Sequence, residues 1–143
     1  MKIIEFHMDH YDALMALIQQ SPGMSVRAAD SRGATARYLE RNPGLSFCAE
    51  EDGQLIGCAL CGHDGRRGYL QHVVVAAPFR GRGIAQALVE RCLDRLAAVG
   101  IEKTHLDVLL TNDLAMGYWR RRGWIQRQDI QRFSFIRSTN PNA

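Results

Sequence analysis

The chain has 143 residues, of which 46% are hydrophobic and 23% charged, and its formal net charge at pH 7 is +3. These values are typical of a single globular domain over residues 1–143, and they do not indicate a nucleic-acid-binding protein with a broadly basic surface. No apolar run approaches the roughly 20 residues of a membrane-spanning helix, and the amino terminus lacks the features of a signal peptide. The sequence therefore predicts a cytoplasmic protein with no membrane partner.

The first part of the chain is predicted to hold one strand and two helices. Lys2 to His7 has a strand-like pattern, and apolar residues at helical spacing predict a helix from Asp9 to Gln20, with Asp9 as its N-cap. A second helix is predicted from Ser31 to Asn42, where an Asn-Pro-Gly sequence ends it. The segment between the two helices has little periodicity and is predicted to be a loop.

Three consecutive strands are predicted in the middle of the chain. Leu45 to Glu51 and Leu55 to Cys61 flank Asp52-Gly53, a dipeptide that favours a tight hairpin turn. A further strand is predicted from Gly68 to Val75. The short connections between these segments predict that all three strands are antiparallel.

The last third of the chain alternates between helical and strand-like patterns. A helix is predicted from Ile84 to Gly100, a strand from Thr104 to Leu110, a short helix from Asn112 to Arg122 and one or two strands from Trp124 to Ile136. A strand-helix-strand crossover places its two strands parallel. The predicted fold is thus an α+β arrangement with a mixed, mainly antiparallel sheet flanked by helices.

The four cysteines are predicted to be reduced and buried. They are Cys48, Cys58, Cys61 and Cys92. Cys58 and Cys61 form a C-x-x-C motif, but three-residue spacing in a strand points the two side chains to opposite faces of the sheet. No second pair completes a zinc site, so no metal is expected.

A basic glycine loop joins the third of these strands to the helix that follows it. The sequence VVVAAPFRGRGIA contains Pro78, which ends the strand, and two glycines, Gly81 and Gly83, which permit a tight turn. Arg80 and Arg82 add positive charge, and the start of a helix adds unpaired amide donors. This combination predicts a site for a dense anion such as pyrophosphate.

Two common pyrophosphate-binding motifs do not fit this loop. A Walker loop ends in Gly-Lys-Ser or Gly-Lys-Thr, whereas this loop ends in Gly83-Ile84-Ala85. A dinucleotide fingerprint requires a third glycine three residues after Gly83, where Gln86 stands. Neither reading is therefore favoured.

The loop resembles the acyl-coenzyme A loop of the GNAT superfamily of N-acetyltransferases. Its Arg80-x-x-Gly83-x-Ala85 sequence follows a strand and matches the Gln/Arg-x-x-Gly-x-Gly/Ala pattern of that family. The later segment Asn112-x-x-Ala115, followed by Arg122-Gly123-Trp124, is similar to the family's Asn, Ala and Gly-Phe segment. The order of the predicted elements also matches, so the resemblance covers nearly the whole chain.

The resemblance implies that acetyl-coenzyme A is the cosubstrate and that it lies in a cleft between two splayed parallel strands. Backbone groups of Val73 and Val75 would hold the pantetheine arm, and the Val75 amide would stabilise the oxyanion of the tetrahedral intermediate. Asn112 would lie near the cofactor or act as a helix N-cap. The pyrophosphate would bind the backbone amides from Gly81 to Ala85 and the side chains of two arginines. The residues of this set are Arg80, Gly81, Arg82, Gly83, Ile84 and Ala85.

The proton-transfer residues depart from the family pattern. Trp119 stands where the family carries a tyrosine near the sulfur, and an indole cannot act as an acid there. Either the helix is shifted so that the adjacent Tyr118 is the acid, or Trp119 packs against the cofactor and water protonates the thiolate. No general base is identified: Gln71 is predicted on the face of Val73 but cannot take a proton, and His72 is predicted to pack on the opposite face.

Two functions of different classes remain open at this point. The first is an N-acetyltransferase that moves an acetyl group to a small-molecule amine or to a peptide or protein amine by direct attack. The second is a non-catalytic acyl-coenzyme A-binding or regulatory domain, which the replacement by Trp119 would suit. A nucleic-acid partner is less favoured, and the oligomeric state stays open, with a homodimer as one alternative.

Overall fold

The computed structural model describes residues 1–143, which form two compact units, Met1–Leu106 and Asp107–Ala143. The first unit contains one five-stranded sheet in which the strands lie side by side in chain order. Helices connect several of its strands. The elements of this unit are β1 (Lys2–Glu5), α1 (Tyr11–Gln19), α2 (Arg32–Arg41), β2 (Phe47–Glu51), β3 (Gln54–His63), β4 (Gly68–Val75), α3 (Ile84–Ala98) and β5 (Thr104–His105).

The first four strands are antiparallel neighbours, as the sequence predicted for β2 to β4. The hairpin between β2 and β3 closes where Glu51 pairs with Gln54. Its central residues Asp52 and Gly53 have φ angles of 53° and 76°. Positive φ at both positions is the geometry for which Asp-Gly is selected in two-residue hairpins, so the local turn signal is confirmed.

Strands β4 and β5 form the only parallel pair and share just two residue pairs, the second of which joins Tyr69 to His105. Because β5 ends at His105 and β4 continues to Val75, the last six residues of β4 have a strand partner on the β3 side alone. The predicted strand from Thr104 to Leu110 is therefore much shorter than expected. The mixed sheet with an opened parallel pair is the fold class that the sequence predicted.

Strand β4 carries a bulge near its carboxyl end. In the pairing with β3, Ala59 alone lies opposite both His72 and Val73. His72 has a φ of 48°, a left-handed conformation that residues other than glycine rarely adopt. The extra residue resets the alternation of faces, so Gln71 and Val74 both lie opposite β3 residues of the core that packs against α1. The prediction that Gln71 shares the face of Val73 is therefore wrong.

Helices α1 and α3 cover opposite faces of the sheet. On one face, Cys58 belongs to a buried cluster that includes residues of α1 such as Leu14. On the other face, Gly57 lies close to Leu88 of α3. Cys61 contacts the buried Cys92 of α3, whereas Cys58 faces α1, so the C-x-x-C side chains do point to opposite faces. All four cysteines are free and buried, as predicted.

The two amino-terminal helices begin close to their predicted positions. Helix α1 starts at Tyr11, because Met8–His10 form a 3-10 turn and Asp9 lies inside that turn and not at the N-cap. Helix α2 has Ser31 as its N-cap, with the hydroxyl oxygen accepting from the Ala34 amide at 3.2 Å. This side-chain acceptor satisfies one of the amides that the first turn of a helix leaves free.

The second unit contains one regular element, helix α4 (Asp113–Arg121). The strands predicted from Trp124 to Ile136 are not formed, and apolar side chains such as Phe133 and Phe135 are exposed. The isoleucines and aromatic residues of this segment supply strand propensity only, whereas a strand also needs a hydrogen-bonded neighbour and a buried face. No helix in the protein is both long enough and apolar enough to cross a membrane.

Candidate active site

The carboxyl end of β4 presents backbone groups along an edge without a neighbouring strand. The Ala76 amide donates to the Ile56 carbonyl at 2.8 Å, and Val75 lies opposite Gly57. In an antiparallel ladder this pattern makes Val75 and Gly57 a non-hydrogen-bonded pair, so the amide and carbonyl of Val75 point away from β3. They therefore face the opened side, while Val73 lies in the adjacent bulge and is half-buried.

The glycine loop has the backbone geometry that only glycine adopts without strain. Gly81 and Gly83 have φ angles of 80° and 76°, and a Cβ atom at either position would meet no atom within 4 Å. The loop is thus open on the side where these side chains are missing. Backbone conformation, and not crowding, is the reason for glycine at both positions.

Helix α3 begins at the end of this loop with unpaired amides. Its hydrogen bonding starts at Ala87, whose amide donates to the Gly83 carbonyl at 3.0 Å. The amides of the first turn before Ala87, including those of Ile84 and Ala85, have no acceptor in the helix and carry its partial positive charge. Ile84 is 3% exposed, so its side chain anchors the turn in the core while its amide stays at the loop.

Both loop arginines are exposed and already have contacts. The Arg80 Nε donates to the Val75 carbonyl at 3.0 Å, which joins the loop to the end of β4 and leaves the two terminal nitrogens available. The Arg82 guanidinium lies 5.1 Å from the centre of the Phe79 ring and 3.8 Å from a carboxylate oxygen of Glu51. An incoming anion would compete with Glu51 for Arg82, a contact that the sequence did not indicate.

The second unit holds the remaining predicted residues. Asn112 is the N-cap of α4, with its side-chain oxygen accepting from the Ala115 amide at 3.1 Å. The rings of Tyr118 and Trp119 meet edge to face at 5.1 Å, and Trp119 makes a second such contact with Trp124, also at 5.1 Å. Capping is therefore the observed contact of Asn112, and the roles of these residues toward a cofactor stay predictions.

The features of β4, the loop and α3 fit a nucleotide-like thioester with a diphosphate. The open edge supplies hydrogen-bonding groups for an extended chain, as an added strand would. The loop supplies free amides, a helix N-terminus and two guanidinium groups for the diphosphate. These residues are contiguous from β4 to α3, so one end of the sheet would present both sets of contacts.

The sequence did not point to an ion pair at the β4 bulge. The Nε2 atom of His72 lies 2.6 Å from Oδ1 of Asp30. Asp30 closes a 3-10 turn far earlier in the chain, and both side chains are largely shielded from solvent. The left-handed backbone of His72 is the only unusual local feature at this ion pair. No signal in the neighbouring sequence predicts the pair.

Burial perturbs several titratable groups in the core. It raises the pKa of the Cys48 thiol to about 12 and that of Cys58 well above its ordinary value. A hydrogen bond with Cys61, together with burial, raises the pKa of the Cys92 thiol. These thiols are neutral at physiological pH, so they are poor nucleophiles, in agreement with a reaction that needs no covalent enzyme intermediate.

Comparisons with known proteins agree with the geometry. Residues 11–124 match the model of the Acetyltransferase (GNAT) family. The chain is 33% identical over 129 residues to an acetyltransferase of Pectobacterium atrosepticum, with 85% of each chain covered.

Two solved structures share the fold at low identity. One is an aminoglycoside 6'-N-acetyltransferase of Acinetobacter haemolyticus, with a TM-score of 0.74, 17% identity and coverage of 96% of this chain and 100% of that one. The other is the PaiA N-acetyltransferase of Thermoplasma acidophilum in complex with coenzyme A, with a TM-score of 0.73, 15% identity and coverage of 85% and 87%. The matched residues include β4, the glycine loop and α3, and the chain belongs to the GNAT family of acetyltransferases.

Proposed function

We propose that the protein is an acetyl-coenzyme A-dependent N-acetyltransferase whose acceptor is a primary amine on a small molecule or a peptide. The observation that carries this proposal is the open edge of β4, where Val75 directs its amide outward immediately before the glycine loop. The family and the coenzyme A complex of a structural neighbour support the choice of donor. The four free thiols also suit the reducing cytoplasm, where we place the protein.

In this mechanism the enzyme residues position the thioester and stabilise charge. The extended arm of acetyl-coenzyme A lies along Val73 and Val75, and the diphosphate lies on the amides from Gly81 to Ala85. The amine nitrogen attacks the thioester carbonyl carbon, and the Val75 amide donates to the oxyanion that forms. The carbon–sulfur bond then breaks, the thiolate leaves with the electron pair, and the amine loses one proton.

The test is release of free coenzyme A thiol from acetyl-coenzyme A in the presence of tyramine, kanamycin or an Ala-Gly-Lys peptide. We expect at least one of these amines to raise the rate of thiol release and to yield an acetylated product by mass spectrometry. Tight coenzyme A binding with no amine-dependent release across a wider amine panel would favour a non-catalytic acyl-coenzyme A-binding domain instead.

We further propose that Tyr118 protonates the leaving thiolate, because it carries the only hydroxyl group on α4. The Trp119 ring is packed against Trp124 and has no acidic proton. Tyr118→Phe should lower kcat about 100-fold, the lower end of the range for a positioned acid. Trp119→Phe, the matched aromatic replacement, should change kcat far less.

The two variants are compared at saturating acetyl-coenzyme A, with the dissociation constant of coenzyme A measured in parallel. A kcat for Tyr118→Phe equal to that of the wild type would show that water protonates the sulfur. A parallel rise in the dissociation constant would instead indicate a packing role for the ring.

A further inference from the structure

The bulge of β4 holds a histidine in a conformation that needs an explanation. His72 has a φ of 48°, where glycine is the usual residue, and it lies opposite Ala59 together with Val73. Bulges reorient side chains and are frequent beside active sites. His72 is also three residues before Val75, which places it within roughly 10 Å of the candidate oxyanion donor along the strand.

The imidazole of His72 has one partner, and that partner is well anchored. Its Nε2 lies 2.6 Å from Oδ1 of Asp30, while Oδ2 of the same carboxylate accepts from the Arg27 amide at 2.8 Å. The Tyr11 hydroxyl donates to the Asp30 carbonyl at 2.5 Å. Asp30 is thus fixed on both its side chain and its backbone, and it in turn fixes the orientation of His72.

This contact determines which nitrogen of His72 can accept a proton. A carboxylate accepts hydrogen bonds, so Nε2 carries the hydrogen and donates it to Asp30. The lone pair of the neutral ring is then on Nδ1, and the carboxylate stabilises the imidazolium that forms when Nδ1 takes a proton.

Other titratable groups near this stretch do not bond to His72. Asp30 is the only group within hydrogen-bonding or ion-pairing distance of the ring. The other titratable groups on β4 and on the elements packed against it lie on both faces of the sheet. They are Tyr11, Asp12, Cys58, Cys61, His63, Tyr69 and His105, and on α3 Glu90, Arg91, Cys92, Asp94 and Arg95. Asp30 is therefore the group that acts most directly on the His72 ring.

We infer that His72 is the proton acceptor for the attacking amine and that Asp30 is its positioning residue. This inference rests on the proposed acetyltransferase function. As the nitrogen–carbon bond forms, the proton of the amine passes to Nδ1 of His72, directly or through one water molecule. The carbon–sulfur bond then breaks, the acetamide leaves, and His72 returns its proton to solvent.

The variants are chosen to keep the bulge intact. Asparagine tolerates the left-handed region and can still donate to Asp30, but it cannot accept a proton. Glycine adopts φ 48° without strain, so His72→Gly keeps the backbone of the bulge and removes only the ring. We expect both variants to lower kcat/KM for the best amine acceptor about 100-fold or more, with the dissociation constant of coenzyme A unchanged.

The dependence of kcat/KM on pH separates catalysis from packing. In the wild type, log kcat/KM should rise with pH more steeply than in His72→Asn, because both the acceptor amine and the base must be unprotonated. His72→Asn should keep only the shallower rise that the acceptor amine imposes, whereas Asp30→Asn should lower kcat/KM and keep the steeper rise. His63→Asn, at the far end of β3, should behave like the wild type.

These measurements separate the assignment of His72 from the proposed acetyltransferase function. A His72→Asn enzyme with wild-type kcat/KM and an unchanged pH profile would overturn the assignment of His72 and leave the acetyltransferase proposal standing. A wild-type protein that acetylates no amine would overturn the proposed function and this assignment with it. If both variants lose activity only in proportion to the fraction of protein that is unfolded, the ion pair merely holds the loop after α1 against the sheet.

Discussion

Gly83→Asp is expected to weaken coenzyme A binding about 30-fold. Gly83 has a φ of 76° at the N-terminus of α3, and an L-residue in that conformation costs about 1 kcal/mol or more. The new carboxylate also stands beside the free amides and repels the diphosphate, which adds a cost of similar size at a solvent-exposed position. Together these terms amount to about 2 kcal/mol, or about 30-fold in the dissociation constant.

Isothermal titration calorimetry with coenzyme A measures this effect directly. Gly100→Asp is the matched control, because Gly100 has a φ of 87°, meets no atom within 4 Å of an added Cβ and follows the other end of α3. It introduces the same charge and a similar backbone strain about 22 Å away along the helix. Equal weakening by both variants would mean that the loop does not hold the diphosphate.

The glycine loop was predictable because its geometry is encoded by adjacent residues. The strand stops and the chain takes positive φ at positions determined by Pro78, Gly81 and Gly83. These effects do not depend on contacts with distant parts of the chain. The Asp52-Gly53 hairpin is local in the same way. Features of this kind can be derived from the sequence in detail.

The β4 bulge and the ion pair beside it depend on contacts across the sequence. Histidine is enriched at positive φ, but such positions are so uncommon that His72 gives no usable local signal for the bulge. Asp30 is 42 residues earlier in the chain, and its pairing with His72 arises only when the loop after α1 lies against β4. A strict alternation along β4 therefore placed Gln71 on the wrong face.

The strands predicted after Trp124 show that strand propensity alone does not form a strand. The segment contains residues that favour strands, such as Ile125, Ile130 and Phe133, yet it has no strand pairing in the structure. β-propensity measures how well a side chain fits a half-buried sheet, and it cannot supply the neighbouring strand. The shortness of β5, with two residues in place of seven, has the same physical origin.

Alkaline pH is expected to unfold the protein steeply, because its buried thiols keep their protons only in the folded state. Burial raises the pKa of Cys48 to about 12, and the pKa values of Cys58, Cys92 and the Tyr38 hydroxyl are also raised. In the unfolded chain a thiol loses its proton above roughly pH 8.5. The unfolded state then binds fewer protons than the folded state, so the free energy of unfolding falls as pH rises.

The fall in the free energy of unfolding per pH unit follows from the number of buried thiols. Each thiol contributes about 1.4 kcal/mol per pH unit once the unfolded form is ionised, so three thiols give about 4 kcal/mol per unit. A domain with a stability of about 5–15 kcal/mol should therefore unfold within about one to four pH units above 8.5. The stabilisation by these thiols is fully present below pH 8.5 and is lost progressively up to about pH 12, where Cys48 ionises in the folded protein.

Urea denaturation between pH 7.5 and 10.5, in the presence of a reducing agent, measures how steeply the free energy of unfolding falls with pH. Cys48→Ala leaves a small cavity at a fully buried position and should lower stability at every pH, but it removes one of the three protons. Its slope above pH 9 should therefore fall to about two thirds of the wild-type value. A wild-type free energy of unfolding that stays level from pH 8 to 10 would show that the buried thiols do not control alkaline stability.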